Sequence, residues 1–116
     1  MLTGVRCASL AVALVFCGCT RPRDSGVKVI VGARLEPGGG REPIEYSVAV
    51  IADGKFRDVG PQSSTPVPQG AEVTRGLGLT MRPLSNSQPI EAGQPADLTL
   101  EGAGQRRQMR NGEWVQ

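Results

Sequence analysis

The chain has 116 residues, which leaves room for one domain and excludes a second catalytic domain. Its formal net charge is +2, with acidic and basic residues spread along the sequence, so no charged field favours nucleic acid as a partner. Aromatic residues make up 3% of the chain, which also contains 16 glycines and 9 prolines. The core must therefore be built from Val, Ile, Leu and Ala between many turns, which favours short strands over helices.

The start of the chain has the layout of an export signal. Residues 1–6 carry one positive charge, and residues 7–18 form an uncharged, mostly apolar run that is shorter than the roughly 20 residues a membrane span needs. The run ends in Gly18-Cys19, which resembles a bacterial lipobox. We expect residues 1–18 to be a lipoprotein signal peptide and Cys19 to be lipidated. An ordinary cleaved signal and an uncleaved anchor are the alternatives.

The residues after Cys19 indicate where the mature protein resides. Residues 19–26 are polar and are expected to form a tether, and Thr20, in place of an acidic residue, resembles lipoproteins that are sorted to an outer membrane. The expected location is the bacterial cell envelope, with a lipid anchor in the outer membrane. Cys7 and Cys17 leave with the signal, so the body contains no thiol and no disulfide.

The first half of the body predicts strands that pair as a hairpin. Residues 27–31 are mostly β-branched, and residues 46–51 place apolar side chains on both faces, which indicates a central strand. Asp53-Gly54 suits the positive φ angles of a tight turn, so residues 55–60 should return beside residues 46–52.

The second half predicts short strands and another hairpin. Strands are expected at residues 71–74, 77–81, 96–101, 105–110 and 113–115, and loops at residues 36–43, 62–70 and 82–95. Asn111-Gly112 is the second strong hairpin signal. No stretch shows the period of a helix. The pattern predicts an all-β fold, a small sandwich or open barrel built from N- and C-terminal hairpins and preceded by the signal segment.

The order of these segments resembles an amidohydrolase without its catalytic barrel. Residues 28–35, 48–60 and 70–73 are similar to the opening of that superfamily, and residues 90–100 and 109–115 to its end. The resemblance implies that residues 27–116 form the family's composite β-domain. Of the family's motif that leads into the barrel, only Pro83 is present. Five residues, 85–89, separate Leu84 from Ile90, whereas a barrel inserted at this point would take about 250 residues.

The chemistry of the family is not expected here. Amidohydrolases activate water on metal ions held largely by His, and this chain has 0 His. No catalytic residue, metal site or cofactor is therefore predicted, and the chain is expected not to be an enzyme. Asp53 and Asp58 fit a hairpin better than an acid/base pair, and Asp97 is interpreted as a structural residue at a strand start. The loop serines lack a His partner; they are Ser63, Ser64, Ser85 and Ser87.

The cluster Arg106, Arg107 and Arg110 has two interpretations. It would attract anionic lipid headgroups if the protein is tethered to a membrane. The interpretation we favour is a solvated hairpin edge, where charges prevent another strand from adding.

These observations lead to one hypothesis and an enzyme-class alternative. The hypothesis is a non-catalytic envelope lipoprotein that presents its β-domain for binding or structural use. The alternative is a remnant or separate subunit of a metal-dependent amidohydrolase whose barrel is encoded elsewhere; a decayed gene product without function is a third option.

Removal of the barrel predicts an exposed apolar surface at the junction. The strands ending near Met81 and restarting near Ala96 must be neighbours, because the chain between them is short. Surface once covered by the barrel would then be open to a second copy or to an envelope protein. The residues expected to form this partner surface are Leu79, Met81, Leu84 and Ile90.

Overall fold

The structure, a computed structural model, describes residues 26–85 and 87–115, and these residues fold into two β-sheets. The strands are β1 (Lys28–Val31), β2 (Arg34–Leu35), β3 (Ser47–Ala52), β4 (Lys55–Pro61), β5 (Glu72–Arg75), β6 (Thr80–Pro83), β7 (Leu98–Gly102), β8 (Gln105–Arg110) and β9 (Glu113–Trp114). Within the described ranges there is no helix, which confirms the expected all-β fold. The signal peptide, Cys19 and nearly all of the tether lie outside the described residues.

The first sheet has the order β4-β3-β1-β5. Strand β3 lies inside it, as its apolar pattern predicted: Val48 and Val50 are buried on one face, and Ala49 and Ile51 on the other. Strand β1 pairs antiparallel with β3 and parallel with β5.

The second sheet has the order β2-β6-β7-β8-β9. Strands β6 to β9 pair antiparallel in sequence order, whereas β2 pairs parallel with β6. The hairpin pattern did not predict either parallel pair, because parallel strands are joined by long connections that carry no turn signal.

The chain crosses from the first sheet to the second at two adjacent corners. Val31 lies opposite Arg75 in one sheet, and Arg34 lies opposite Thr80 in the other. The first crossing, from Val31 to Arg34, thus advances three residues, and the second, from Arg75 to Thr80, advances five. The extra residues form a turn that Leu79 N closes on Gly76 O at 2.8 Å. This turn explains why β6 begins at Thr80 and not at residue 77, as the sequence had predicted.

The connection between β6 and β7 packs against the core of the domain. The two strands are direct neighbours, with Met81 opposite Leu100, as the short linker required. Ile90 is 1% exposed and belongs to the core between the sheets. Its backbone N donates a hydrogen bond to Pro37 O at 3.0 Å, which ties the connection to the loop after β2.

Both hairpin turns predicted from the sequence are present. Asp53 and Gly54 have φ angles of 55° and 78°, and Asn111 and Gly112 have φ angles of 50° and 81°. The two turns pack against each other: a Cβ added at Gly112 would lie 3.0 Å from Gly54 Cα. The two sheets are therefore in contact through their hairpin tips.

A short segment before β7 bonds to both hairpin tips. Ala96 N donates to Gly54 O at 2.9 Å, and Ala96 O accepts from Gly112 N at 3.1 Å. Asp97 Oδ1 accepts from Asn111 N at 2.7 Å. Asp97 thus has the structural role that its position at a strand start indicated.

Candidate functional site

The carboxylates considered for catalysis have structural or solvent-facing positions. Asp53 forms a hairpin turn, Asp58 is exposed on β4, and Asp97 holds the second turn. Across residues 26–85 and 87–115, no group of three or more His, Cys, Asp or Glu side chains could hold a metal ion. Ser85 and Ser87 bond to each other through their hydroxyls at 2.8 Å on the surface.

The outer face of the second sheet carries a chain of ion pairs, which we call the charge ladder. Its members alternate in sign: Glu45, Arg34, Glu36, Arg82, Glu101 and Arg106. Glu36 lies 2.8 Å from Arg82 and 3.4 Å from Arg34, and the hydrogen bond from Arg82 holds the pKa of Glu36 below its usual value. The part of this face from Glu36 to Arg106 is polar and well paired, which makes it unsuitable for an apolar partner.

The charge ladder predicts a small acid-sensitive contribution to stability. Because the pKa of Glu36 is lower in the folded state, its carboxylate stabilises the fold at pH values above the ordinary glutamate pKa of 4.5. This contribution is lost as the pH falls through the lower pKa of the folded state. We expect Glu36→Gln to lower the free energy of unfolding by less than about 1 kcal/mol near neutral pH, since the site is exposed. In urea unfolding, the difference from wild type should be present near pH 7 and should shrink toward zero when the pH is well below 4.5.

Glu42→Gln is the control, because Glu42 is exposed and has no ion pair among the residues the structure describes. It should change stability little at either pH. A wild-type advantage over Glu36→Gln that is equal at both pH values would contradict the role of the Arg82 bond.

The arginines of β8 lie beside the short edge strand β9. The Arg107 guanidinium stands 3.9 Å from the centre of the Trp114 ring, and Arg106 lies 4.0 Å from Glu101. These contacts support the interpretation of the cluster as a charged sheet edge.

The structure corrects the expected partner surface. Met81 and Ile90 are 0% and 1% exposed, so both belong to the domain's own core and cannot meet a partner. A short connection between Met81 and Ala96 could have left the junction open, but Ile90 folds back into the core and covers it. Leu79 and Leu84 are half-buried, and Leu79 packs against the core.

A depression with exposed apolar walls lies instead at the two corners where the chain changes sheets. We call it the corner depression; it has a volume of about 390 Å³. Its lining is Gly32, Arg34, Glu45, Tyr46, Leu77, Gly78, Leu79 and Thr80. Leu79 is the one residue of the expected partner surface that contributes to it.

Tyr46 forms one wall of the corner depression with an unusual backbone. Its φ angle is 51°, in the left-handed region. Its side chain is 60% exposed. The other non-glycine residues with positive φ in the described ranges all lie in two-residue hairpin turns; they are Asp53, Ala103 and Asn111. For a bulky residue this conformation costs about 1–2 kcal/mol. Such an outlier points to function when the side chain is not needed for packing.

The neighbouring contacts explain what holds Tyr46 in place. Ser47 is buried, and its hydroxyl donates to Ala33 O at 2.8 Å while its backbone N donates to the same oxygen at 2.9 Å. Tyr46 O accepts from Gln62 N at 2.8 Å. The bend at Tyr46 is therefore fixed by its neighbours, and the ring is left at the surface.

Leu77 forms the other wall of the corner depression. It is 71% exposed, the highest value among the large hydrophobic side chains in the described part of the chain. It is exposed because the second crossing is longer and turns outward. The sequence placed Leu77 in a strand and Tyr46 in the central strand, so both were missed; the glycines on either side of Leu77 were the available signal.

A second open depression, of about 350 Å³, lies beside Ile90. Its apolar floor includes Leu35 and Ile90, which are core residues, and an ion pair between Arg41 and Glu91 crosses its rim. Because these side chains already serve the domain's own packing, it is the weaker candidate.

Comparisons with known proteins provide little further information. No protein-family model matches the chain, and none of the curated proteins matches it. A solved structure of molinate hydrolase is similar over 52% of this chain, with 25% sequence identity and a TM-score of 0.46. This chain spans only 13% of that protein's length. A similarity of this strength establishes no family, so the amidohydrolase resemblance stays a hypothesis. In residues 26–85 and 87–115 no helix has the length and apolar character needed to cross a membrane.

Proposed function

We propose that this chain is a non-catalytic lipoprotein of the bacterial envelope whose β-domain binds a protein partner at the corner depression. The observation that carries the proposal is the pair of exposed apolar walls, Tyr46 and Leu77. Tyr46 occupies a backbone conformation that favours glycine, and Leu77 is pushed outward by a longer crossing.

The shape and composition of the corner depression favour a protein over a small molecule. Small-molecule sites are usually concave enough to bury most of their ligand. Here both walls stand largely in solvent, so a small ligand would remain exposed, whereas a protein surface would cover both at once. Tyr and Arg, both present here, are also enriched at protein interfaces.

The burial of Ile90, in the connection between β6 and β7, favours a self-contained domain over a separate subunit of a hydrolase. A subunit that completes a barrel would present an open apolar surface where the barrel attaches. In this domain Ile90 fills that position, and the Arg41–Glu91 ion pair lies over it. The proposal therefore assigns no catalytic residue, metal or cofactor to the chain.

Site-specific photo-crosslinking in cells tests the binding role. The full chain carries a photoreactive amino acid at position 77, and a matched chain carries it at position 67, where Val67 is an exposed apolar residue of the loop after β4. We expect a crosslinked product from position 77 and none from position 67. Absence of a product at 77, or equal products at both positions, would contradict the proposal; a barrel-containing hydrolase in the product would support the subunit alternative instead.

The proposed location has its own test at Cys19. Protein isolated from membranes should lack residues 1–18 and carry acyl groups on Cys19, measured as intact mass. Cys19→Ala should leave the membrane fraction, because a lipid chain contributes about 0.8 kcal/mol for each buried CH₂ group. Membrane association that is unchanged in Cys19→Ala would refute lipidation, with Cys17→Ala as the control for the neighbouring cysteine.

A further inference from the structure

We propose that the partner bound at the corner depression is a second copy of this chain, joined through a two-fold symmetric contact. This inference rests on the proposed binding role of the site and names its occupant. The same surface patch would serve both copies, as a two-fold interface requires.

The patch contains both a protruding side chain and a space to receive one. Leu77 projects from the turn of the second crossing, and its own backbone covers Gly32, where an added Cβ would lie 3.3 Å from Leu77 N. The open part of the corner depression lies over Gly78, which has no side chain. A Cβ at Gly78 would meet no atom within 4 Å, so the surface over this glycine is open. Leu77 of each copy would enter the depression of the other and pack on its Tyr46 ring.

The charges of the patch permit two copies to approach. Arg34 and Glu45 are the charged residues that line the corner depression, and they form an ion pair with each other. Their side chains are 44% and 57% exposed, so each can also reach a partner across a two-fold axis. Two identical patches with one positive and one negative group do not repel each other, and Arg34 of one copy would face Glu45 of the other.

The paired charges also argue against a charged occupant. Arg34 already has Glu36 and Glu45 as partners, so a free carboxylate or phosphate would have to displace them. Glu45 of a second copy would only exchange with the Glu45 already paired, which leaves the number of ion pairs unchanged. An uncharged apolar side chain has no such competition, and Leu77 of a second copy is one.

The test uses two differently tagged full chains expressed together, each with the photoreactive group at position 77. We expect a crosslinked product of twice the monomer mass that carries both tags. Tyr46→Gly in both chains should reduce this product roughly tenfold or more, which corresponds to a loss of about 1.4 kcal/mol of binding.

Tyr46→Gly also provides the control for folding. Glycine relieves the positive φ angle, so the melting temperature should equal that of the wild type or exceed it by up to about 4 °C. Loss of the dimer in a variant that is at least as stable cannot result from unfolding. Val67→Asp, at an exposed apolar residue outside the patch, should leave the dimer unchanged.

The outcomes separate this inference from the proposed function. A product at position 77 that carries one tag and an additional protein would overturn self-association and leave the binding role intact. No product at position 77 would overturn both. A two-tag product that persists in Tyr46→Gly would show that the copies meet elsewhere, and would overturn the assignment of the dimer contact to the corner depression.

Discussion

Replacing Ile90 with alanine is expected to destabilise the domain by about 2–5 kcal/mol, the range observed for large apolar side chains removed from a core. Ile90 is 1% exposed and lies in the connection between β6 and β7, outside any strand. Its removal would leave a cavity between the sheets and weaken the attachment of this connection to the loop after β2. Urea unfolding of the two proteins measures the effect.

Leu77→Ala is the matched control for Ile90→Ala. It removes a similar aliphatic side chain that is 71% exposed in the single chain. At a protein concentration low enough to keep the chain monomeric, it should change the free energy of unfolding by less than about 0.5 kcal/mol. If Ile90→Ala unfolded at the same urea concentration as the control, the junction would be open in solution, and the sequence-based partner surface would regain its support.

Gly112→Ala is expected to cost about 2–4 kcal/mol, because two effects add. Its φ angle of 81° disfavours any side chain, and the new Cβ would lie 3.0 Å from Gly54 Cα and 3.3 Å from Ile51 Cγ2. Backbone atoms at the first hairpin tip cannot move away without breaking the bond from Ala96 N to Gly54 O. Thermal unfolding measures the loss.

Gly104→Ala separates the two effects. Gly104 has a φ angle of 78°, close to that of Gly112, but a Cβ there would meet nothing within 4 Å. This variant should lose only the backbone contribution, about 1–2 kcal/mol. Equal losses in Gly104→Ala and Gly112→Ala would mean that the two hairpin tips do not pack tightly.

The sequence predicted the parts of the fold that depend on neighbouring residues. Asp53-Gly54 and Asn111-Gly112 specify tight turns by their own backbone preferences, and both turns formed where expected. The position of β3 inside its sheet followed from apolar residues on both faces. Such signals lie within a few residues of the element that they define.

The remaining features depend on contacts between distant segments. The pairing of β1 with β5 joins residues 44 apart, such as Lys28 and Glu72, and no local pattern encodes it. Ile90 reads as an apolar residue in a Pro-rich loop, and only the packed structure shows that it fills the core. Leu77 is exposed because the crossing from β5 to β6 is longer than the neighbouring crossing from β1 to β2. The sequence does not show that these two crossings are adjacent.

The segment that bonds both hairpin tips has a consequence for how the chain reaches its folded state. Ala96 contacts Gly54 and Gly112, so the first hairpin completes its contacts only after nearly the whole polypeptide is available. Both sheets also contain parallel pairs between strands far apart in sequence. Topologies of this high contact order fold in roughly milliseconds to seconds, after long loops have closed. We therefore expect the hairpin contacts at Gly54 and Gly112 to form only after the last strands of the chain have left the ribosome.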